Sequence, residues 1–187
     1  MTTSGAAPSN LNVANAFTML RVGLVPVFAW LLLWRDPPLP WLAAAVFAAA
    51  AATDSLDGFV ARRLDQVTGL GQFLDPLADK LLVGTALVAL AAARRMPWWA
   101  VWVILGREVA VSALRTSMAR GGRALPASML GKIKNVSQIV AVVLLAAMPP
   151  GHGFADFVLG CAVGLTLYSG WEYLRDARDG RVGVPWT

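Results

Sequence analysis

Residues 54–80 read DSLDGFVARRLDQVTGLGQFLDPLADK and continue directly from the apolar, alanine-rich run 40–53. Asp54 therefore stands inside a helix whose earlier turns have the composition of a segment buried in hydrocarbon. Asp54, Asp57, Gly58 and Ala61 fall at i, i+3, i+4 and i+7, positions that line one helical face. Asp75 and Asp79 stand one turn apart on what reads as the next helix. The connection contains Gly69 and Gly71 and is short enough to make the two helices antiparallel neighbours. Four carboxylates are then expected to converge near one boundary of an apolar layer.

An aspartate at the centre of a membrane helix costs about 2.5–3.5 kcal/mol, so four cost at most roughly 10–14 kcal/mol. That rivals the whole stability of a domain, about 5–15 kcal/mol, and demands compensation. The charges admit two readings: an ion-pair network with Arg62, Arg63 and Lys80, or a pair of divalent cations. The second fits better. Carboxylate oxygens are hard ligands suited to Mg²⁺ or Mn²⁺, and four of them balance two such ions. Histidine and cysteine do not converge here as zinc would require; His152, between Gly151 and Gly153, reads as a loop residue. Gly58 inside a helix costs about 1 kcal/mol relative to alanine, and close approach of a ligand would justify it. Ala61 leaves further room, and Arg62 supplies a planar donor fork suited to phosphate.

The rest of the chain supplies the matching solvent. Its 187 residues are 57% hydrophobic and only 14% charged, against about 25% charged in soluble domains, and mean hydropathy is +0.60. Apolar runs and their breakers predict six spans, near 14–34, 40–62, 74–93, 97–118, 132–149 and 154–175. Since a span needs about 20 apolar residues, six use nearly the whole length. The expectation is an all-α polytopic membrane protein forming one domain over 1–187. Ala43 to Ala52 reads as tight helix packing of small residues.

Both termini are expected on the cytoplasmic side. Arg62, Arg63, Arg115, Arg120, Arg123, Lys132, Lys134, Arg175, Arg178 and Arg181 fall on the side of the termini, and Arg35, Arg94 and Arg95 on the other. Trp30, Trp34, Trp41, Trp98, Trp99 and Trp102 gather at that other side and read as an interfacial belt, with a sugar- or ligand-stacking platform as the alternative. Basic loops of this kind account for the +5 charge without invoking nucleic acid. Met1 to Asn12 lack a basic leader region, so no cleaved signal is expected. The single cysteine, Cys161, excludes an intrachain disulfide and reads as a small buried hydrophobe.

The spacing D-x2-D-G-x2-A-R-x8-G-x3-D-x3-D is met in full by Asp54, Asp57, Gly58, Ala61, Arg62, Gly71, Asp75 and Asp79. It resembles the signature of the CDP-alcohol phosphotransferases. NVANAFTMLRVGLVPVF, GREVAVSALR and GKIKNVSQ extend the likeness to bacterial members that use glycerol 3-phosphate as acceptor; Asn135 stands where a threonine is expected. The resemblance implies a homodimeric enzyme of the cell membrane, with its active site facing the cytoplasm. It implies transfer of a phosphatidyl group from CDP-diacylglycerol to the acceptor, with release of CMP. It also implies that Asp54 and Asp75 touch both metal ions, that Asp57 holds one and Asp79 the other, and that Asp79 is the general base. Gly58, Ala61, Arg62, Thr68 and Gly71 then face CDP-diacylglycerol.

Glu108, Ser112 and Arg115 lie at i, i+4 and i+7 on the fourth span, with Arg107 beside them and Lys132 and Lys134 opening the fifth. Arg107, Arg115, Lys132 and Lys134 are candidates to hold an acceptor phosphate, although positive loop charges would leave the same trace. The cations do not tell glycerol 3-phosphate from inositol phosphate, and phosphatidylglycerol is a third possible acceptor. An ion transporter is the alternative from another class, but it calls for polar residues spread through the bilayer depth. Arg21, in the apolar first span, calls for an aspartate or a phosphate as partner.

Overall fold

A computed structural model describes the backbone of residues 13–36, 38–64, 69–120 and 129–178, and the side chains of 19–36, 38–53, 78, 80–120 and 129–178. The described residues form six α-helices and no strand: α1 (Val13–Leu33), α2 (Pro40–Leu64), α3 (Gly69–Ala92), α4 (Trp98–Arg120), α5 (Met129–Ala147) and α6 (Gly153–Arg178). The all-helical expectation holds, with shifted ends. α3 begins at Gly69 rather than 74, and α6 runs to Arg178 rather than 175, because a helix does not stop where its apolar face does. α5 ends at Ala147, just short of Pro149, whose ring opposes continuation.

The chain divides into two compact units, Met1–Ala93 and Arg94–Thr187. In the first, α1 packs against both α2 and α3, which touch each other less. Ala43, Ala44, Phe47, Ala50 and Ala51 are buried, so the alanine run forms one close-packed face, in keeping with the expected packing of small residues. Phe47 meets Phe28 of α1 with ring centroids 5.6 Å apart. Pro40 occupies the first position of α2, where its missing N–H costs nothing, while the Leu39 carbonyl accepts from Ala43 N at 2.9 Å. On α3 the buried line is Ala78, Leu82, Ala86 and Leu90. Arg21 is fully buried.

In the second unit α6 packs against α4 and α5. Its buried stripe runs Ala155, Leu159, Ala162, Thr166, Ser169 and Tyr173, while that of α5 runs Lys134, Gln138, Ala141 and Leu145. Each stripe is apolar near the α5–α6 connection and polar at its far end. Arg95, read from sequence as a loop charge, closes the apolar end: its Nη1 donates to the carbonyls of Leu145, Ala146 and Met148 at 3.3, 3.2 and 2.7 Å. A cation at a helix C-terminus also meets the negative end of the helix dipole. Burial pushes the Arg95 pKa below its ordinary value, yet arginine stays charged.

α5 and α6 are each long and apolar enough to cross a membrane, and Met19–Leu33, Pro40–Thr53 and Lys80–Ala92 are shorter apolar helical stretches. Trp30, Trp34, Trp41, Trp98, Trp99 and Trp102 are all exposed, together with Leu42, Val109, Phe157, Leu167 and Trp171. Cys161 is exposed too, a correction to its expected burial. It sits beside Gly160 and one turn from Phe157, on a flank of α6 that carries apolar side chains outward rather than into the unit.

Candidate functional site

The acidic pattern lies along two helices in contact. α2 carries Asp54, Asp57, Gly58, Ala61 and Arg62 in its C-terminal half, and α3 carries Gly71, Asp75 and Asp79 in its N-terminal half. The side chains of all eight lie outside the described residues, as does Thr68 altogether. Among the described side chains, no cluster of three or more histidine, cysteine or acidic groups is found.

At the polar end of the second unit, α4, α5 and α6 bring a charged cluster together. Glu108 Oε1 accepts from Lys134 Nζ and, at 3.2 Å, from Arg107 Nη1. Arg107 Nη2 donates to Ser169 Oγ at 2.8 Å, and Ser169 Oγ donates to the Thr166 carbonyl at 3.2 Å. Thr166 Oγ1 accepts from Gln138 Nε2 at 3.0 Å, so the polar side chains of α5 and α6 satisfy one another beneath the ions. Arg107 is nine-tenths buried. Its Nε is buried without a hydrogen-bond partner, a rare condition for an interior donor.

Arg115 Nη2 donates to the Tyr173 hydroxyl at 2.5 Å, and its guanidinium carbon lies 4.8 Å from the ring centroid. The same ring lies 5.7 Å from the guanidinium carbon of Arg107. Beside the cluster, a cavity of about 420 Å³ opens between α4 and α6, with apolar walls from Val103, Ala110, Leu114, Leu167 and Leu174 and with Arg107 and Gly170 at its lining.

Of the four expected acceptor residues, the structure thus joins Arg107 and Lys134 through Glu108, and ties Arg115 to Arg107 through Tyr173. Lys132 is exposed on α5 and stands outside these contacts. Lys134 faces inward, in line with Gln138 and Ala141, whereas Lys132 is two residues earlier on the helix and so turned well away. Ser169 and Tyr173 were missed as site residues. The available signal was the polar series Thr166, Ser169, Tyr173 at i, i+3 and i+7 in an otherwise apolar helix.

Residues 11–168 match the description of the CDP-alcohol phosphatidyltransferase family. The chain belongs to that family. Three relatives share the name CDP-diacylglycerol--glycerol-3-phosphate 3-phosphatidyltransferase and align over most of both chains. The Bacillus subtilis (strain 168) protein is 44% identical over 179 residues, covering 87% of this chain and 93% of its own. The Pseudomonas fluorescens protein is 45% identical over 181 residues, covering 89% and 90%, and that of Escherichia coli K12 is 39% identical over 176, covering 89% and 95%. In this CDP-alcohol phosphatidyltransferase the matched range contains the whole acidic pattern and the α4 and α5 cations, and ends one residue before Ser169.

Proposed function

We propose that the chain transfers the phosphatidyl group of CDP-diacylglycerol to sn-glycerol 3-phosphate, giving phosphatidylglycerophosphate and CMP. The observation that carries this reading is the complete acidic pattern within near-full-length likeness to relatives named for that reaction.

The donor set of Asp54, Asp57, Asp75 and Asp79 fits two Mg²⁺ or Mn²⁺ ions, since four hard carboxylates on two contacting helices match both their charge and their ligand preference. Such ions, when bound, polarise the attacked phosphorus and stabilise the departing phosphate. Asp54 and Asp75 would hold both, Asp57 one and Asp79 the other. Gly58, Ala61, Arg62, Thr68 and Gly71 would seat the CDP moiety. Asp79 takes the proton from the acceptor hydroxyl as its oxygen bonds to the phosphatidyl phosphorus and the bond to CMP breaks.

The acceptor phosphate binds the cluster of α4, α5 and α6. Arg107, Arg115 and Lys134 set against Glu108 leave two net positive charges, matching a phosphate monoester of about −1.5 to −2. The buried, unpartnered Nε of Arg107 supports this, because an incoming oxygen would satisfy it. Lys132, exposed nearby in sequence, would add to the attraction at longer range.

The enzyme works as a homodimer in the cell membrane, with six spans and with its termini and active site on the cytoplasmic side. The exposed apolar surface and the exposed tryptophans of the expected belt support a lipid environment. The test supplies purified protein in lipid with CDP-dioleoylglycerol, Mg²⁺ or Mn²⁺, and glycerol 3-phosphate, inositol phosphate or phosphatidylglycerol separately, and follows CMP release. Fastest turnover is expected with glycerol 3-phosphate. Turnover with inositol phosphate and none with glycerol 3-phosphate would overturn the assignment.

A further inference from the structure

Arg107 and Arg115 are eight residues apart on α4, about 12 Å along the axis, yet both guanidinium groups lie within 6 Å of the ring of Tyr173 on α6. Long flexible side chains lose rotamer freedom when they are held in one place, so two arginines offered to one small anion need something to fix them.

α6 provides it over a single turn. Ser169 Oγ accepts from Arg107 Nη2 at 2.8 Å. Gly170 presents bare backbone, and a Cβ there would stand only 3.2 Å from Arg107 Cγ, so this glycine lets the Arg107 stem lie across the helix. Tyr173, itself buried, stacks near both guanidinium groups and accepts from Arg115 Nη2 at 2.5 Å. The ring attracts a cation through its negative face, and the phenol oxygen fixes the orientation of one of the two forks.

We infer that Ser169, Gly170 and Tyr173 form an arginine cradle whose ring, Tyr173, is the positioning residue that holds Arg107 and Arg115 in register for the acceptor phosphate. The inference rests on the acceptor reading above and adds residues that neither the acidic signature nor the matched family range contains. Tyr173 does not touch substrate; it acts through the two guanidinium groups. Its loss therefore weakens binding of the phosphate-bearing acceptor and leaves use of the nucleotide-linked lipid unchanged.

The test is steady-state kinetics of the full-length protein in lipid, with CDP-dioleoylglycerol and glycerol 3-phosphate varied in turn, for Tyr173→Leu, Tyr173→Phe and Arg115→Gln. Tyr173→Leu is expected to raise the KM for glycerol 3-phosphate roughly tenfold or more, as loss of cation–π and charge-assisted contacts implies, with the KM for CDP-dioleoylglycerol and kcat within about twofold. Tyr173→Phe keeps the ring and should recover a large part of the loss, which also guards against a variant that fails to fold. A large acceptor effect in Arg115→Gln with none in Tyr173→Leu would overturn the cradle alone. An unchanged acceptor KM in Arg115→Gln would overturn the acceptor reading beneath it. An equal fall in use of both substrates by Tyr173→Leu, without rescue by phenylalanine, would reduce Tyr173 to a packing residue.

Discussion

Lys134, near the start of α5, and Arg107 of α4 share a single carboxylate oxygen, Oε1 of Glu108. The Lys134 side chain is 3% exposed and that of Glu108 25%, so the ammonium has little water to fall back on. Removing one partner of such a buried pair costs about 3–5 kcal/mol, because the other charge is left uncompensated. Glu108→Gln is expected near the low end of that range. Lys134→Met should cost less than half as much, since Glu108 keeps Arg107. Thermal inactivation midpoints of the two variants in one detergent check the order; equal losses would contradict it.

Arg95 gathers three carbonyls at the end of α5. Arg95→Ala removes those bonds and the favourable charge at the helix terminus, at a cost of about 1–2 kcal/mol. Turnover at saturating substrates below the inactivation temperature is expected to be unchanged. A lowered midpoint with normal kcat confirms a purely structural arginine.

Two glycines of α6 make a matched pair. A Cβ on Gly170 meets Arg107 Cγ at 3.2 Å, whereas one on Gly164 meets nothing within 4 Å. Gly170→Ala should displace Arg107 and raise the KM for glycerol 3-phosphate about threefold to tenfold, roughly the effect of weakening one charge-assisted hydrogen bond. Gly164→Ala should leave the kinetics alone and gain about 0.5–1 kcal/mol of helix stability. The contrast in KM is the readout.

Asp79→Asn removes the proposed base and one charged ligand together. Turnover is expected to fall by at least the roughly 10²–10⁴-fold ascribed to general base catalysis, with the helical circular dichroism spectrum unchanged. Chelation of divalent cations in the unaltered enzyme should stop CMP release, and Mg²⁺ or Mn²⁺ should restore it. Activity that persists through rigorous chelation would dismiss the metal pair.

The six helices were legible because long apolar runs alternate with proline and glycine breakers, and the close packing along α2 was legible from its run of small residues. Helix ends were not: Gly69 and Arg178 lie in polar sequence that a helix accepts as readily as an apolar one. The acidic pattern could be read because its members lie within 26 residues of one another at helical intervals. The cluster of Glu108, Lys134, Ser169 and Tyr173 could not. Its contacts join residues 26 to 62 positions apart, and although Thr166, Ser169 and Tyr173 share one helical face, nothing in the sequence shows that this face meets the arginines of α4. Charge patterning suggested cations near an anion site; only packing shows that one carboxylate neutralises part of them and that Lys132 stands aside.

The most direct test of the account is the lipid product itself. Enzyme in lipid is given CDP-dioleoylglycerol, Mg²⁺ and deuterated glycerol 3-phosphate, and the extracted lipids are identified by mass spectrometry. The account predicts dioleoyl phosphatidylglycerophosphate carrying the full deuterium label, formed in step with CMP. Phosphatidic acid in place of that product, or CMP release with no label entering lipid, would contradict it.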